Sequence, residues 1–229
     1  MTRLSAPPSK APPARQASPG FLASEDGVAA MEFAIIAPII IGLYLGLAEM
    51  GSVLSADRKL SHTASVAGDL ATQVEALGKS EAADLVSAVA HVMDLDDNAG
   101  FAMRLQSFER DSGGTMKSEG VIEYKTDAYG RGLDTDAKDV SAFDTSGIGE
   151  DMVPRGGGIV VAQVRYQYKP FGFGSVGRDG ARKGFLPDYL TLEDAFLFKP
   201  RRSDVVAFGK AGTDVTYSCR GEAGKVSCT

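Results

Sequence analysis

The sequence has no tryptophan, only two histidines and only two cysteines. His62 and His91 stand at no metal-ligand spacing from each other or from a cysteine, so we predict solvated or capping roles for them. A phosphate-binding glycine loop, a nucleophile elbow and a dinucleotide fingerprint are also missing. The sequence therefore predicts a protein that is not an enzyme, with no catalytic residues, no metal and no cofactor.

A complete calcium loop is missing as well. The acidic stretch from Asp94 starts like an EF-hand, but Ala99 and Leu105 stand where that loop needs glycine and glutamate. We predict an acidic turn that closes a helix, with a loose calcium site as the alternative.

Long runs of one charge sign do not occur. The 24 basic and 30 acidic residues give a net charge of -6, which argues against a nucleic-acid partner. The compact basic cluster at residues 199–202, "KPRR", predicts a solvated turn or, alternatively, a contact with an acidic neighbouring subunit.

An uncharged apolar stretch is present near the N-terminus. Residues 1–27 are rich in proline, serine and alanine and predict a disordered leader. From residue 28 about 21 residues, interrupted only by Glu32, match the roughly 20 that cross a hydrocarbon core as a helix. We predict a transmembrane helix and its exit over residues 28–59, in contact with the lipid bilayer.

The charges around this stretch predict its orientation. Arg3, Lys10 and Arg15 precede it, which places the N-terminus in the cytoplasm and the remainder in the periplasm, although Arg58 and Lys59 weaken the asymmetry.

Three residues inside the stretch affect its shape and packing. Pro38 removes a backbone hydrogen bond and favours a kink. Gly42 and Gly46, four residues apart, suit close contact with another helix, and simple tolerance of glycine in membrane helices is the alternative.

A helical pattern continues beyond the stretch and predicts one helix of about 45 residues that ends at Gly78. Its small apolar stripe can pack inside the chain or against a partner, and consists of Leu60, Ala64, Ala67, Ala71 and Val74.

A second helix and several strands are predicted next. Ser80 is the expected N-cap of the helix, whose apolar face comprises Ala82, Leu85, Val86, Val89, Val92 and Met93. Alternating patterns predict strands around residues 101–106, 121–126 and 159–170, with shorter ones at 195–200, 204–208 and 214–219. In the clearest strand Val160, Ala162, Val164, Tyr166 and Tyr168 share a buried face, and the opposite face is expected to be wet.

These patterns predict an α+β protein in which the N-terminal helix extends into a domain, residues 60–229, with an antiparallel β-sheet. Long loops at about residues 126–158 and 170–190 are expected to be functional or mobile. Cys219 and Cys228, nine residues apart, can close a small disulfide loop in an oxidising compartment, and two free thiols are the alternative.

Gly27, Glu32 and Phe33 followed by an apolar helix resemble the processing signal of type IV pilin-like proteins, which a prepilin peptidase cuts after the glycine. The stretch is more narrowly similar to the TadE/TadG-like minor pilins, or pseudopilins, of the Tad (Flp) type IVb pilus, with Glu32-Phe33-Ala34, Pro38 and Glu49 in the corresponding places. The resemblance covers residues 24–72 and is loose beyond them. Val28 replaces the usual first phenylalanine, and the C-terminal part is larger than a major pilin needs.

The resemblance implies cleavage between Gly27 and Val28 and a role in Tad pilus assembly or initiation from the bacterial inner membrane, with incorporation into the surface pilus as a further step. Its implied partners are other pilin-like subunits, the Tad assembly machinery and the prepilin peptidase. Glu32 can then pair with the new α-ammonium of Val28, either on a neighbouring subunit or on its own helix.

Two alternatives remain open from the residues. The segment can be an uncleaved anchor of a bitopic protein with a periplasmic binding or scaffold domain. It can also be a secretory signal cut after Ala48, where Gly46 and Ala48 form a small-x-small site.

Overall fold

The computed structural model describes residues 25–95, 100–126, 129, 140–170, 189–209, 214–221 and 226–229. The chain divides into two compact units, Met1–Ala48 and Glu49–Thr229, which we name the first unit and the second unit. The predicted α+β class is confirmed, because a long apolar helix precedes a sheet-rich domain. Most of the predicted leader, residues 1–24, lies outside the described residues.

Helix α1, Glu25–Thr72, is the longest element, with 48 residues. It ends before the predicted end at Gly78, because the chain turns and residues Ala76–Leu77 form strand β1. Strand β1 pairs in parallel with β6, Ala207–Phe208. A backbone that donates and accepts in a strand ladder cannot continue the hydrogen bonds of a helix.

Of the two alternatives for the predicted stripe of α1, packing inside the chain or against a partner, the structure shows packing inside the chain for residues 60–71. Leu60, Ala64, Ala67 and Ala71 are fully buried in the main core. A Cβ atom added to Gly68 would lie 2.1 Å from the ring of Phe198, so only glycine lets the helix approach the sheet this closely.

Helix α2, Lys79–Met93, buries most of its predicted apolar face, while Val92 is half-buried. The prediction of Ser80 as the N-cap is wrong. The N-cap is Gly78, whose carbonyl accepts the N–H of Ala82 at 2.9 Å. The Ser80 hydroxyl instead donates to the Glu81 carboxylate at 3.0 Å. At the other end Asp94, with a φ of 55°, is the C-cap, in agreement with the predicted acidic turn.

In the described part of the chain, six strands form the main sheet. They are β2 (Gly100–Arg110), β3 (Met116–Lys125), β4 (Gly158–Tyr168), β5 (Leu190–Phe198), β7 (Thr216–Arg220) and β8 (Ser227–Cys228). Their order is β5-β4-β2-β3-β7-β8. All neighbours are antiparallel, as predicted, except β3 and β7, which are parallel.

The face of the sheet that the alternation in β4 predicts to be buried packs against α1 and α2. Val160, Ala162 and Val164 are buried in the main core on this face. The prediction of a wet opposite face is wrong for much of β4, since Gln167 is only 6% exposed. A second cluster forms there from Phe108, Val153, Ile159 and Val161, because described residues of the 140–157 segment cover the strands.

Arg110 holds that covering segment in place. Its side chain is buried, and its Nε donates to the carbonyl of Val153 at 2.7 Å. Its two terminal nitrogens donate to the carbonyls of Gly114, at 2.7 Å, and Ile148, at 2.5 Å. This part of the predicted long loop is therefore fixed by a buried guanidinium, while residues 127–128 and 130–139 of the same loop lie outside the described residues.

Gly120 is required where β3 passes under β6. Its φ is +141°, and an added Cβ would lie 2.5 Å from the Cβ of Phe208 and 3.0 Å from the carbonyl oxygen of Val215. Both the backbone conformation and the space exclude a larger residue.

Within the second unit α1 runs antiparallel to β4 and parallel to β5. Glu49 contacts Tyr168 at the end of β4, and Ser61 hydrogen-bonds Asp194 in the middle of β5. The backbone N–H of Arg201, beyond the end of β5, donates to the carbonyl of Thr72 at 3.2 Å. The second unit therefore has one end at Glu49 and an opposite end at Thr72, about 35 Å apart along the helix.

Candidate functional site: the apolar helix and its exit

The first unit presents an apolar helical surface between Val28 and Ala48. Large side chains all round this part of α1 are exposed, as in Phe33 with 70% of its surface accessible. At 1.5 Å per residue its length is about 30 Å, the thickness of a bilayer's hydrocarbon core. The helix over Val28–Thr72 is the one membrane-crossing candidate found in the described part of the chain, by length and composition. A surface of this kind suits lipid or other apolar helices rather than water.

The predicted processing and pairing residues lie at the start of α1. Gly27 is two residues beyond the first helical residue, Glu25. Val28, Glu32 and Phe33 are exposed, and Val28 and Glu32 are four residues apart, so they lie on the same side of the helix. Among the described residues no hydrogen bond or ion pair involves Glu32. Its predicted partner, a free α-ammonium, exists only in a chain that begins at Val28.

Pro38, Gly42 and Gly46 lie further along the same exposed surface. The helix is continuous through Pro38. An added Cβ at Gly42 or Gly46 would meet nothing within 4 Å, in contrast to Gly68. Space for a side chain is therefore available within the chain at these two positions, and their predicted contact with another helix stays a prediction.

Glu49, the first charged residue after Glu32, is held where α1 enters the second unit. The Tyr168 hydroxyl donates to its Oε1 at 2.9 Å. Burial, and next the hydrogen bond with Glu49, raise the pKa of the Tyr168 phenol. The half-buried carboxylate of Glu49, at the end of the apolar run, thus accepts a hydrogen bond from the Tyr168 phenol, which keeps its proton. Sequence reasoning placed both residues but missed their contact, because the sequence shows only that Glu49 follows an apolar run and that Tyr168 lies near the end of an alternating strand.

Cys219 and Cys228 form a disulfide that joins β7 to β8 in register. The two residues are buried in the main core beside α2. The alternative of two free thiols does not describe this structure, and the described part of the chain contains no free cysteine.

The remaining candidate positions are two histidines, the calcium-like stretch and the basic cluster. His62 and His91 lie exposed on α1 and α2, and no group of metal-binding side chains occurs among the described residues. Residues 96–99 of the calcium-like stretch lie outside the described residues. In the basic cluster Arg201 forms an ion pair with Asp69, which supports the predicted turn, while a contact with a neighbouring subunit stays a prediction.

Comparison with known families gives a match over the apolar helix and its exit. Residues 27–69 match the family model described as TadE-like protein. These residues form a TadE-like segment. It begins at Gly27, contains the whole exposed apolar helix and Glu49, and ends inside the buried part of α1. It covers under a fifth of the chain, so the sheet-rich domain is not part of the match.

Two further comparisons gave no match. No curated protein and no solved structure matches the chain. The TadE-like segment and the exposed apolar helix together indicate a membrane protein related to the Tad pilus.

Proposed function

We propose that this chain is a single-pass, membrane-anchored minor pilin or pseudopilin-like protein that takes part in assembly or initiation of a Tad (Flp) pilus. The observation that carries the proposal is the start of the TadE-like segment at Gly27, the residue before the predicted cleavage site. The exposed surface of α1 supports it, because an apolar helix of this length needs lipid or neighbouring helices as its environment.

The proposal assigns three parts to the chain. Residues 1–27 are a cytoplasmic leader, residues 28–59 cross and leave the inner membrane, and residues 60–229 form a periplasmic domain. The Cys219–Cys228 disulfide supports the periplasmic location, because disulfides persist in oxidising compartments. Other pilin-like subunits contact the helix, and the assembly machinery supplies the driving energy.

Processing by a prepilin peptidase tests this assignment. We expect the C-terminally tagged chain to lose about 3 kDa, the leader of residues 1–27, only when the peptidase is co-expressed. Gly27→Leu is expected to keep the full mass, because the leucine side chain is larger than the glycine that the peptidase accepts before the cut. Immunoblotting of membranes measures the shift.

Gly46→Leu is the matched control, since it makes the same change in the same helix away from the cut and should be processed normally. A wild-type chain of unchanged mass in the presence of active peptidase would favour the uncleaved bitopic protein. Equal processing of Gly27→Leu would contradict a cut after Gly27.

A further inference from the structure

Strand β5 forms one edge of the main sheet. In the described part of the chain β4 is its only neighbour in the sheet, and their pairing runs along the whole of β5, Leu190–Phe198. The strand at the opposite edge, β8, has only two residues. A long edge strand presents a row of backbone N–H and C=O groups that another chain can pair with. Of the two edges, β5 therefore has the greater capacity to bind a further strand.

The odd-numbered residues of β5 direct their backbone groups away from β4. The N–H of Ala195 donates to the carboxylate of Asp194 at 2.8 Å, so it faces the outer side of the edge. Backbone groups of an antiparallel strand alternate between its two sides, so those of Glu193 and Leu197 face outward as well. Among the described residues, no group outside the ladder with β4 bonds these two N–H groups. A further strand would find donors and acceptors on both sides of Ala195.

The side chains along this edge are exposed and carry charges of both signs. Glu193, Ala195 and Leu197 are exposed, and Leu197 leaves 42% of its surface accessible. Lys199 follows directly after the strand and is exposed too. Within the described ranges its ammonium has no ion-pair partner. An anionic and a cationic side chain thus stand on either side of a small and an apolar one.

The helix-bearing face of β5 is only partly covered. Phe196 and Phe198 pack at the margin of the main core and stay half-buried. The fully buried strand residues of that core on this face belong to inner strands, as in Val160 and Ala162 of β4. The edge therefore retains apolar surface that a neighbouring strand can bury.

We propose that β5 pairs antiparallel with β5 of a second copy of this chain, about a two-fold axis at Phe196. The two main sheets then form one continuous sheet. The inference depends on the second unit alone, and it is independent of the pilus role and of cleavage after Gly27.

Charge complementarity is the reason for choosing a second copy as the occupant. With the axis at Phe196, Glu193 of each copy stands opposite Lys199 of the other, and Ala195 stands opposite Leu197. Opposite charges that face each other across two strands stabilise their pairing. An axis one residue earlier, at Ala195, would instead place the carboxylate of Glu193 opposite the apolar side chain of Leu197. The charges therefore favour the axis at Phe196.

Glu193 can accept a second cation. Both of its hydrogen bonds with Arg165, from Nε at 3.0 Å and from Nη2 at 2.6 Å, end on the same carboxylate oxygen, Oε2. Its Oε1 remains as an acceptor, because a carboxylate has lone pairs on both oxygens. The pairing between copies therefore does not require Glu193 to release Arg165.

Two further groups gain partners at the axis. The half-buried rings of Phe196 meet their counterparts from the second copy, and aromatic cross-strand pairs stabilise sheets. The N–H of Ala195 exchanges the Asp194 carboxylate for the carbonyl of Leu197 in the second copy. Asp194 keeps its hydrogen bond with Ser61 after this exchange.

Ala195→Pro tests the backbone pairing. Proline has no N–H, and it is tolerated in an edge strand where the N–H faces outward, so it blocks a further strand without removing a bond to β4. Analytical ultracentrifugation of the full chain in detergent, over a series of concentrations, measures the equilibrium between monomer and dimer. We expect Ala195→Pro to raise the dissociation constant of the dimer about 30-fold. Ala195→Val, which keeps the N–H, is the matched control and should associate like the wild type.

Glu193→Lys and Lys199→Glu test the register. Each variant alone places like charges opposite each other twice per dimer, and should raise the dissociation constant about 10-fold. An equimolar mixture of the two variants should recover the association of the wild type, because every facing pair then has opposite charges. Lys79→Glu makes the same change at an exposed position at the start of α2 and should have no effect.

The outcomes separate this interface from others. Loss of the dimer in Ala195→Pro, its retention in Ala195→Val and its recovery in the mixture support the inference. A wild-type chain that stays monomeric over the series overturns it. A dimer that Ala195→Pro leaves intact also overturns it and assigns the association to another surface, such as the apolar helix. If near-ultraviolet circular dichroism shows that Ala195→Pro is unfolded, the mixture decides, and a mixture without recovery overturns the inference.

Discussion

Glu32→Ala is expected to leave cleavage after Gly27 unchanged and to lower association with other pilin-like subunits about 100-fold. An ammonium and a carboxylate 4 Å apart attract each other by about 1 kcal/mol in water and by about 4 kcal/mol at the effective dielectric of a protein surface. Removing the carboxylate leaves the α-ammonium of Val28 without its partner in a poorly solvated site, at a cost of roughly 3 kcal/mol. Co-purification with tagged pilin-like subunits from detergent-solubilised membranes measures the loss.

Three variants make this experiment specific for charge and position. Glu32→Gln keeps the size of the side chain and should behave like Glu32→Ala, while Glu32→Asp should retain part of the association. Glu25→Ala removes a carboxylate on the other side of the cut and should have no effect, since the leader takes that residue away. Normal association of Glu32→Ala would contradict pairing between subunits. A reduced amount of Glu32→Ala in the membrane, with normal association of what remains, would favour pairing of Glu32 with Val28 on its own helix.

Arg110→Leu is expected to lower the free energy of unfolding of the second unit by about 3 kcal/mol. The substitution removes the donors to three carbonyls, of Val153, Gly114 and Ile148, and the side chain is only 6% exposed. Water cannot replace these bonds without opening the covering segment. Urea unfolding of the full chain in detergent, followed by the near-ultraviolet circular dichroism of the tyrosines, measures the change.

Arg110→Lys and Arg155→Leu separate the possible causes. Lysine keeps the charge but lacks the planar fork that reaches three carbonyls, so Arg110→Lys should lose most of the same stability. Arg155 lies in the same segment, is exposed and pairs with Glu150, so Arg155→Leu should cost less than about 1 kcal/mol. If Arg110→Leu were no more destabilising than Arg155→Leu, Arg110 would not be what holds the segment.

The sequence predicted the features that depend on local periodicity. The stripe from Leu60 to Ala71 repeats at helical spacing over several turns, and Val160, Ala162 and Val164 alternate at strand spacing, so each pattern identified its buried face. The TadE-like segment was also recognisable from the sequence, because its residues are consecutive in the chain.

Features that depend on distant contacts were missed. The covering of the second sheet face follows from one arginine that reaches carbonyls up to 43 residues away, and an isolated arginine at the end of a strand pattern gives no sign of this. The pairing of Tyr168 with Glu49 joins residues 119 positions apart. Ser80 was misplaced for a local reason, since the helix begins before it with a backbone cap at Gly78 that has no side-chain signature.

The central claim is that proteolysis creates the ammonium group that Glu32 requires, and the N-terminus of the protein recovered from membranes tests it most directly. Intact-mass spectrometry with N-terminal sequencing, on protein from cells that contain a prepilin peptidase, should find a chain that begins at Val28. A chain that begins at Met1 or Thr2 would contradict the claim and leave Glu32 on an uncleaved anchor. A chain that begins at Glu49 would contradict it as well and identify α1 as a secretory signal.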